Sequence, residues 1–226
     1  MAIHCVLLNG TGMLFMPGFD VAEVTRLPDE PLIFVEVAMV NGLANNVQEL
    51  LDEAAPIQDP KTVDTAIFYS ISNAQKGLAG IGFGGFIIKQ VADRLAREFK
   101  GLKTFATLSP IPGFRALLDR MLAQDTPNLL LPTERKTLTA AGDRSGGAKG
   151  MFKTLLADPH WHEDRNTVAV LQPILMRLCA RYLILERRES GLALDPVAHF
   201  HLSNGASLGR LNWMPEDLRA PDRLWR

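Results

Sequence analysis

Cysteine is nearly missing from this 226-residue chain. Cys5 and Cys179 are its only two, too few for a disulfide framework or a thiolate metal cluster. Charge of one sign is missing as well: 24 Lys and Arg stand against 25 Asp and Glu, for a formal charge of −1. That excludes nucleic-acid or membrane-surface binding driven by bulk charge. No run nears the roughly 20 unbroken apolar residues of a spanning helix. The first residues lack the basic start of a secretory signal, and the last three are no peroxisomal address. What is present is ordinary: 47% hydrophobic and 22% charged residues exclude wholesale disorder. The expectation is a soluble, cytoplasmic protein in a reducing setting, a single domain over residues 1–226, touching neither nucleic acid nor membrane.

Short β-like runs fill the first third. Ala2–Leu8 and Met13–Met16 flank the turn signal Asn9-Gly10-Thr11-Gly12 and read as a hairpin. Pro31–Val40 is branched and aromatic with Glu36 as its lone charge, the pattern of a central strand. A short amphipathic helix is expected in Asn46–Ala55, and Asp64–Ser72 is the next strand. Phe86, Ile87, Val91, Leu95 and Phe99 then recur at helical spacing. Lys103–Ser109 is a strand cut off by Pro110 and Pro112, and Phe114–Leu122 resumes helical periodicity. Short helices flank a loop at Ala140–Gly150. Val168–Arg187 reads as a helix with Pro173 in its first turn or at a kink. Asp195–Ser203 reads as a late strand, turned by Asn204-Gly205. The order implies an α/β fold, one mixed sheet with flanking helices.

Between the strand at Asp64–Ser72 and the following helix lie Gly77, Gly80, Gly82, Gly84 and Gly85. A strand that passes through such a loop into a helix aims free N–H groups at one point, where the helix dipole favours a phosphate. The competing explanation is that glycine lets the helix pack closely on the sheet. Neither nucleotide fingerprint is present: there is no G-x-x-x-x-G-K-[ST] and no acidic residue placed as in a Rossmann unit. Coenzyme A in an acetyltransferase-like fold is the remaining phosphate-bearing option.

The histidines are His4, His160, His162, His199 and His201. Two H-x-H pairs could in principle assemble a metal site, but the first sits in a polar loop as a solvated cluster would, so no metal is assigned. On the expected strand, His199 and His201 share a face. Ser109 ends a strand before proline without a G-x-S-x-G elbow around it, which argues against a hydrolase nucleophile.

Three stretches carry a resemblance: Ala66–Ser72 with the loop to Gly84, Phe105–Phe114 (FATLSPIPGF) and Pro196–Trp213 (PVAHFHLSNGASLGRLNW). Over residues 30 to 214 and in this order, the chain resembles the catalytic domain of the malonyl-CoA decarboxylase family. The resemblance implies a fold of the GNAT (acyl-CoA N-acyltransferase-like) type and conversion of malonyl-CoA to acetyl-CoA and CO2 without metal or organic cofactor. It implies Ser109 and His201 as the catalytic pair and Ser70 as a substrate-site serine. Asn204 is a further substrate-site candidate, orienting His201 or capping the next segment. Gly77, Gly80, Gly82 and Gly84 are the expected diphosphate cradle. Family members commonly carry an acidic residue where this chain has Gly82. A segment bearing an active-site tyrosine is expected to be missing after Trp213, and an N-terminal helical domain to be absent. The alternatives are an N-acyltransferase of the same fold, a non-catalytic acyl-CoA binder, and a metal enzyme built on the H-x-H pairs.

Overall fold

The computed structural model describes residues 2–9, 33–52, 54–56, 58–73, 83–124, 126–142 and 146–214. In chain order these carry β1 (Ala2–Asn9), β2 (Ile33–Val40), α1 (Gln48–Leu51), β3 (Thr65–Asn73), α2 (Phe83–Glu98) and β4 (Thr104–Pro110). There follow α3 (Phe114–Ala123), α4 (Pro132–Ala140), α5 (Gly147–Ala157), a 3-10 turn (Trp161–Glu163), α6 (Arg165–Leu185), α7 (Pro196–Ser203) and β5 (Ala206–Met214). They gather into two compact units. Met1–His4, Pro110–His199 and Trp213–Arg226 make one; Cys5–Ser109 and Phe200–Asn212 make the other.

The strands run in the order β2-β3-β4-β1-β5. The sheet is mixed, with β2 antiparallel and β4 parallel to β3. Parallel neighbours need a crossover, and α2 supplies it between β3 and β4. Ile88, Ala92 and Leu95 of α2 bury one stripe against Val35, Ala66, Phe68 and Phe105, and Phe200 packs on the same cluster. Five consecutive β4 residues, Phe105–Ser109, are buried, so both faces of this strand are covered. By the strand alternation Thr107 and Ser109 share the α2-facing side with Phe105. Arg210 and Asn212 of β5 tie down the segment after β2: Arg210 donates to Ala44 O at 2.7 Å and Asn212 to the same oxygen at 3.1 Å.

A bulge interrupts β3. Glu36 opposes Ser70 while Val37 opposes Phe68, which leaves Tyr69 as the extra residue. The bulge turns Ser70 to the face of Glu36 and away from that of Phe68. It also coincides with the end of the β3–β4 ladder, which among the described residues runs only from Thr65–Thr104 to Phe68–Thr107.

The first unit is helical. Leu171, Ile174, Leu175, Leu178 and Tyr182 form the buried stripe of α6. This helix has the length and hydropathy of a membrane span, but its apolar stripe is core. Arg177 ties it to α4 through a two-pronged pair with Glu134, at 2.6 and 2.7 Å. Asp195, 1% exposed, serves three elements. Oδ1 accepts from Val197 N and Ala198 N at 3.0 Å each, the N-cap of α7. Oδ2 accepts from Gly113 N at 3.1 Å and from the Tyr182 hydroxyl at 3.3 Å. Burial, and then the Asp195 carboxylate, push the Tyr182 pKa well above its ordinary value, so the phenol keeps its proton.

Three sequence expectations change. Asp195–Ser203 is not a strand: Asp195 caps a helix whose first residue is Pro196, and the late strand is Ala206–Met214. Pro31–Val40 holds a strand, but β2 lies at the end of the described order and Glu36 is exposed, as suits an edge. Pro173 lies inside α6, beyond its first turn, so of the two readings given for it the first-turn one falls. Met13–Met16 lies outside the described residues.

Replacing Asp195 by alanine removes the α7 cap and leaves the Tyr182 hydroxyl and the Gly113 N–H without their buried acceptor. The expected loss is about 3 kcal/mol, measured as a lowered urea midpoint; an unchanged midpoint would contradict the role of this carboxylate.

Candidate active site

β4 ends at a proline and delivers Ser109 at its last buried position, 6% exposed. α7 delivers His201, 5% exposed. Their side chains meet: Ser109 Oγ lies 3.2 Å from His201 Nε2. Ser109 also donates to Thr107 Oγ1, two residues earlier on the same face, at 3.1 Å. Thr107 is 1% exposed, so the three polar groups form a short buried chain. The Phe200 ring meets the imidazole edge-on with centroids 5.0 Å apart. In this desolvated setting the His201 pKa falls from its ordinary 6.5 to about 4. At neutral pH the imidazole is uncharged and offers one N–H donor and one acceptor nitrogen.

The other candidates fall in different places. His199 is two residues from His201 on a helix, so the two rings project about 200° apart rather than from one face; His199 is half-buried. His160 and His162 belong to the first unit, with ring centroids 6.5 Å apart and Glu163 beside them. Among the described residues no group of three or more His, Cys, Asp or Glu side chains could hold a metal ion. Ser70 is half-buried on the far side of the β3 bulge. It is not brought to the Ser109–His201 pair by strand register.

Asn204 follows α7 directly. Its amide donates to Phe200 O at 2.7 Å, closing the last turn of the helix, and Gly205 at φ +90° takes the chain out of it. The same amide lies so close over Gly85, in the first turn of α2, that a Cβ there would overlap it. Close packing is therefore the reason for glycine at 85. Gly84 lies in that turn too, while Gly77, Gly80 and Gly82 lie outside the described residues. No acidic residue stands in the first turn of α2, and Arg97 lies in its last, an arrangement that leaves the positive end of the helix dipole unopposed.

Two residues of this constellation escaped the sequence reading. Thr107 was signalled only by its place two residues before Ser109 on a strand. Gly85 belongs by sequence to the glycine-rich loop, and no spacing points to its neighbour 119 positions later.

The chain resembles proteins of known name. A family model described as the malonyl-CoA decarboxylase C-terminal domain matches residues 24–221. The mitochondrial malonyl-CoA decarboxylase of Anser anser anser is 38% identical over 195 residues, 83% of this chain and 38% of that protein. The Rattus norvegicus protein of the same name is 38% identical over 194 residues, 84% of this chain and 39% of its own length. The crystal structure of malonyl-CoA decarboxylase from Rhodopseudomonas palustris has a TM-score of 0.63 at 43% identity, covering 80% of this chain and 38% of that one. That from Cupriavidus metallidurans scores 0.62 at 43% identity, covering 84% and 45%. The chain thus spans less than half the length of these relatives.

His201 makes stability depend on pH with a definite sign. Its folded pKa lies below its unfolded one, so between pH 6.5 and 4 the unfolded chain takes up the proton and the folded chain resists it. Folding stability is lost as pH falls through this window, by up to about 3 kcal/mol from this group. The difference between wild type and His201→Gln in urea midpoint, followed from pH 7 to 4, isolates the contribution. Parallel curves would show that burial does not shift this imidazole.

Proposed function

The chain belongs to the malonyl-CoA decarboxylase family, and from that premise we propose that it converts malonyl-CoA to acetyl-CoA and CO2. The observation that carries the proposal is the buried contact between Ser109 and His201. The two residues that the resemblance nominated, 92 positions apart, lie within hydrogen-bond reach.

The fold reading is of the GNAT type. It is supported by the mixed sheet and by the end of the β3–β4 ladder at the Tyr69 bulge, beyond which a pantetheine arm would enter beside Ser109. The glycine loop and the first turn of α2 would take the diphosphate on backbone N–H groups. Asn204 acts there by packing on Gly85 and holding the end of α7. The reading needs no metal and no organic cofactor, and places the enzyme in the cytoplasm, where the buried thiol of Cys179 stays reduced.

The chemistry follows from burial. A malonyl carboxylate brought against a neutral, desolvated imidazole raises that imidazole's affinity for a proton, because an opposite charge at close range favours the charged form. His201 takes a proton from solvent as the substrate binds. The bond from the α-carbon to the carboxylate then breaks, CO2 leaves, and the electron pair moves into the thioester carbonyl to give an enolate. Ser109 donates a hydrogen bond to the oxygen where this charge develops, a kind of interaction worth roughly 3–4 kcal/mol in oxyanion sites. His201 passes its proton to the α-carbon and returns to neutrality. One proton enters and one CO2 leaves, so the step balances.

Ser109→Ala and His201→Ala are each expected to lower kcat for CO2 release from malonyl-CoA by about 100-fold or more, with His199→Ala near wild type. Turnover that survives both changes would refute the pair; malonyl-CoA binding without CO2 from the wild type would favour an acyl-CoA binder. A second outcome concerns protons. Calorimetric titration at pH 7 in buffers of different ionisation enthalpy should show close to one proton taken up per molecule bound of a malonyl-CoA analogue that keeps the carboxylate but cannot lose CO2, and none for acetyl-CoA. Equal uptake for both ligands would contradict recruitment by the carboxylate.

A further inference from the structure

Ser109 has one hydroxyl proton and two polar neighbours. One is Thr107 Oγ1 at 3.1 Å, to which it donates; the other is His201 Nε2 at 3.2 Å. A proton spent on the threonine cannot also be given to the imidazole, so the second contact needs its proton on Nε2. We propose that Thr107 is a positioning residue: by accepting the Ser109 proton it fixes neutral His201 as the Nε2–H tautomer and leaves Nδ1 as its free base. This rests on the decarboxylase reading for its purpose, though the tautomer itself does not.

The surroundings favour such a device. Thr107, Ser109 and His201 are 1%, 6% and 5% exposed, so water does not compete freely for their protons. Thr107 is held in register opposite Phe68 in the β3–β4 ladder, and Ser109 lies one pleat further along the same face. Without Thr107, the acceptor left to the Ser109 proton among its described partners is Nε2 itself. The serine proton would then move onto the hydrogen bond with the imidazole, and the ring would carry its own proton on Nδ1. In the substrate complex the difference matters. With threonine present, Ser109 exchanges one acceptor, Thr107 Oγ1, for another, the developing enolate oxygen, and the proton recruited by the substrate enters at the free Nδ1. With threonine absent, Nδ1 already carries the ring proton, so the proton recruited by the substrate must enter at Nε2, which Ser109 occupies until it breaks that bond.

The test compares Thr107→Val, which keeps the shape and removes the hydroxyl, with Thr107→Ser, which keeps the hydroxyl. Long-range 15N–1H spectra of the substrate-free chain distinguish a protonated from an unprotonated ring nitrogen; the His201 signals are assigned by their loss in His201→Gln. Wild type and Thr107→Ser should show a protonated Nε2, and Thr107→Val a shift toward protonated Nδ1. In CO2 release, Thr107→Val should lower kcat about tenfold or more with KM within about threefold, and Thr107→Ser should restore it. A protonated Nδ1 in the wild type overturns the proposal without any variant, as does a valine variant with unchanged tautomer and wild-type kcat. If wild type releases no CO2 while the tautomer still follows residue 107, the positioning role stands and the decarboxylase reading falls.

Discussion

A hydroxyl and an imidazole held together away from water set the terms for the rest of this structure. Burying polar groups is costly unless they find partners, and Ser109, Thr107 and His201 satisfy one another at 3.1 and 3.2 Å. The arrangement requires β4 to be covered on both faces as far as Ser109, which the α2 stripe and Phe200 help to achieve. It requires the chain after α7 to be tied down at once, which Asn204 and Gly205 do. It also sets the charge state, since the same burial that shields the pair keeps His201 neutral. A surface histidine with the same neighbours would titrate near its ordinary pKa and be charged part of the time.

The bulge at Tyr69 and the glycine at 85 are local departures that serve this end of the sheet. One extra residue in β3 turns Ser70 to the Glu36 face and coincides with the last pair of the β3–β4 ladder. The part of β4 that pairs with β3 among the described residues thus carries Phe105 and Thr107, and Ser109 lies just past it. Gly85 lets the Asn204 amide lie directly on α2. The glycine-rich sequence therefore has a packing use at one position at least. The anion cradle proposed for the loop concerns other glycines than Gly85, so the two explanations do not compete for that residue.

Much of this was legible in the sequence where periodicity and punctuation agree. The strand at Thr104–Pro110 ends at its proline, and the buried stripe of α2 has the spacing expected of a helix. The segment Asp195–Ser203 failed because Val197, Phe200 and Leu202 look like strand residues, while the decisive signal was the Asp195-Pro196 pair that starts a helix. The error carried a chemical consequence: a strand would have set His199 and His201 side by side, whereas a helix separates them and selects one. Pro31–Val40 is apolar enough for a central strand, yet strand order is a property of the whole sheet and is not written in one segment. The meeting of Ser109 and His201 was legible only through the resemblance, since no local pattern joins residues 92 apart.

Neutrality of the resting imidazole bears on selectivity among acyl-CoA substrates. An acetyl thioester brings no charge to the site, so His201 would remain neutral against it and have no proton to give. A malonyl thioester brings a carboxylate, and that anion offsets the desolvation which holds the pKa near 4. On the proposed reading the group that leaves as CO2 is thus also the group that calls in the proton replacing it. An amine acceptor, as an N-acyltransferase would use, asks the opposite of the same ring: it must take a proton at once, from a nucleophile that carries no charge to stabilise the imidazolium. A buried imidazole with a lowered pKa is a weak base for that task. On the proposed reading, the Ser109–His201 pair therefore favours chemistry on an acyl group that arrives with its own negative charge.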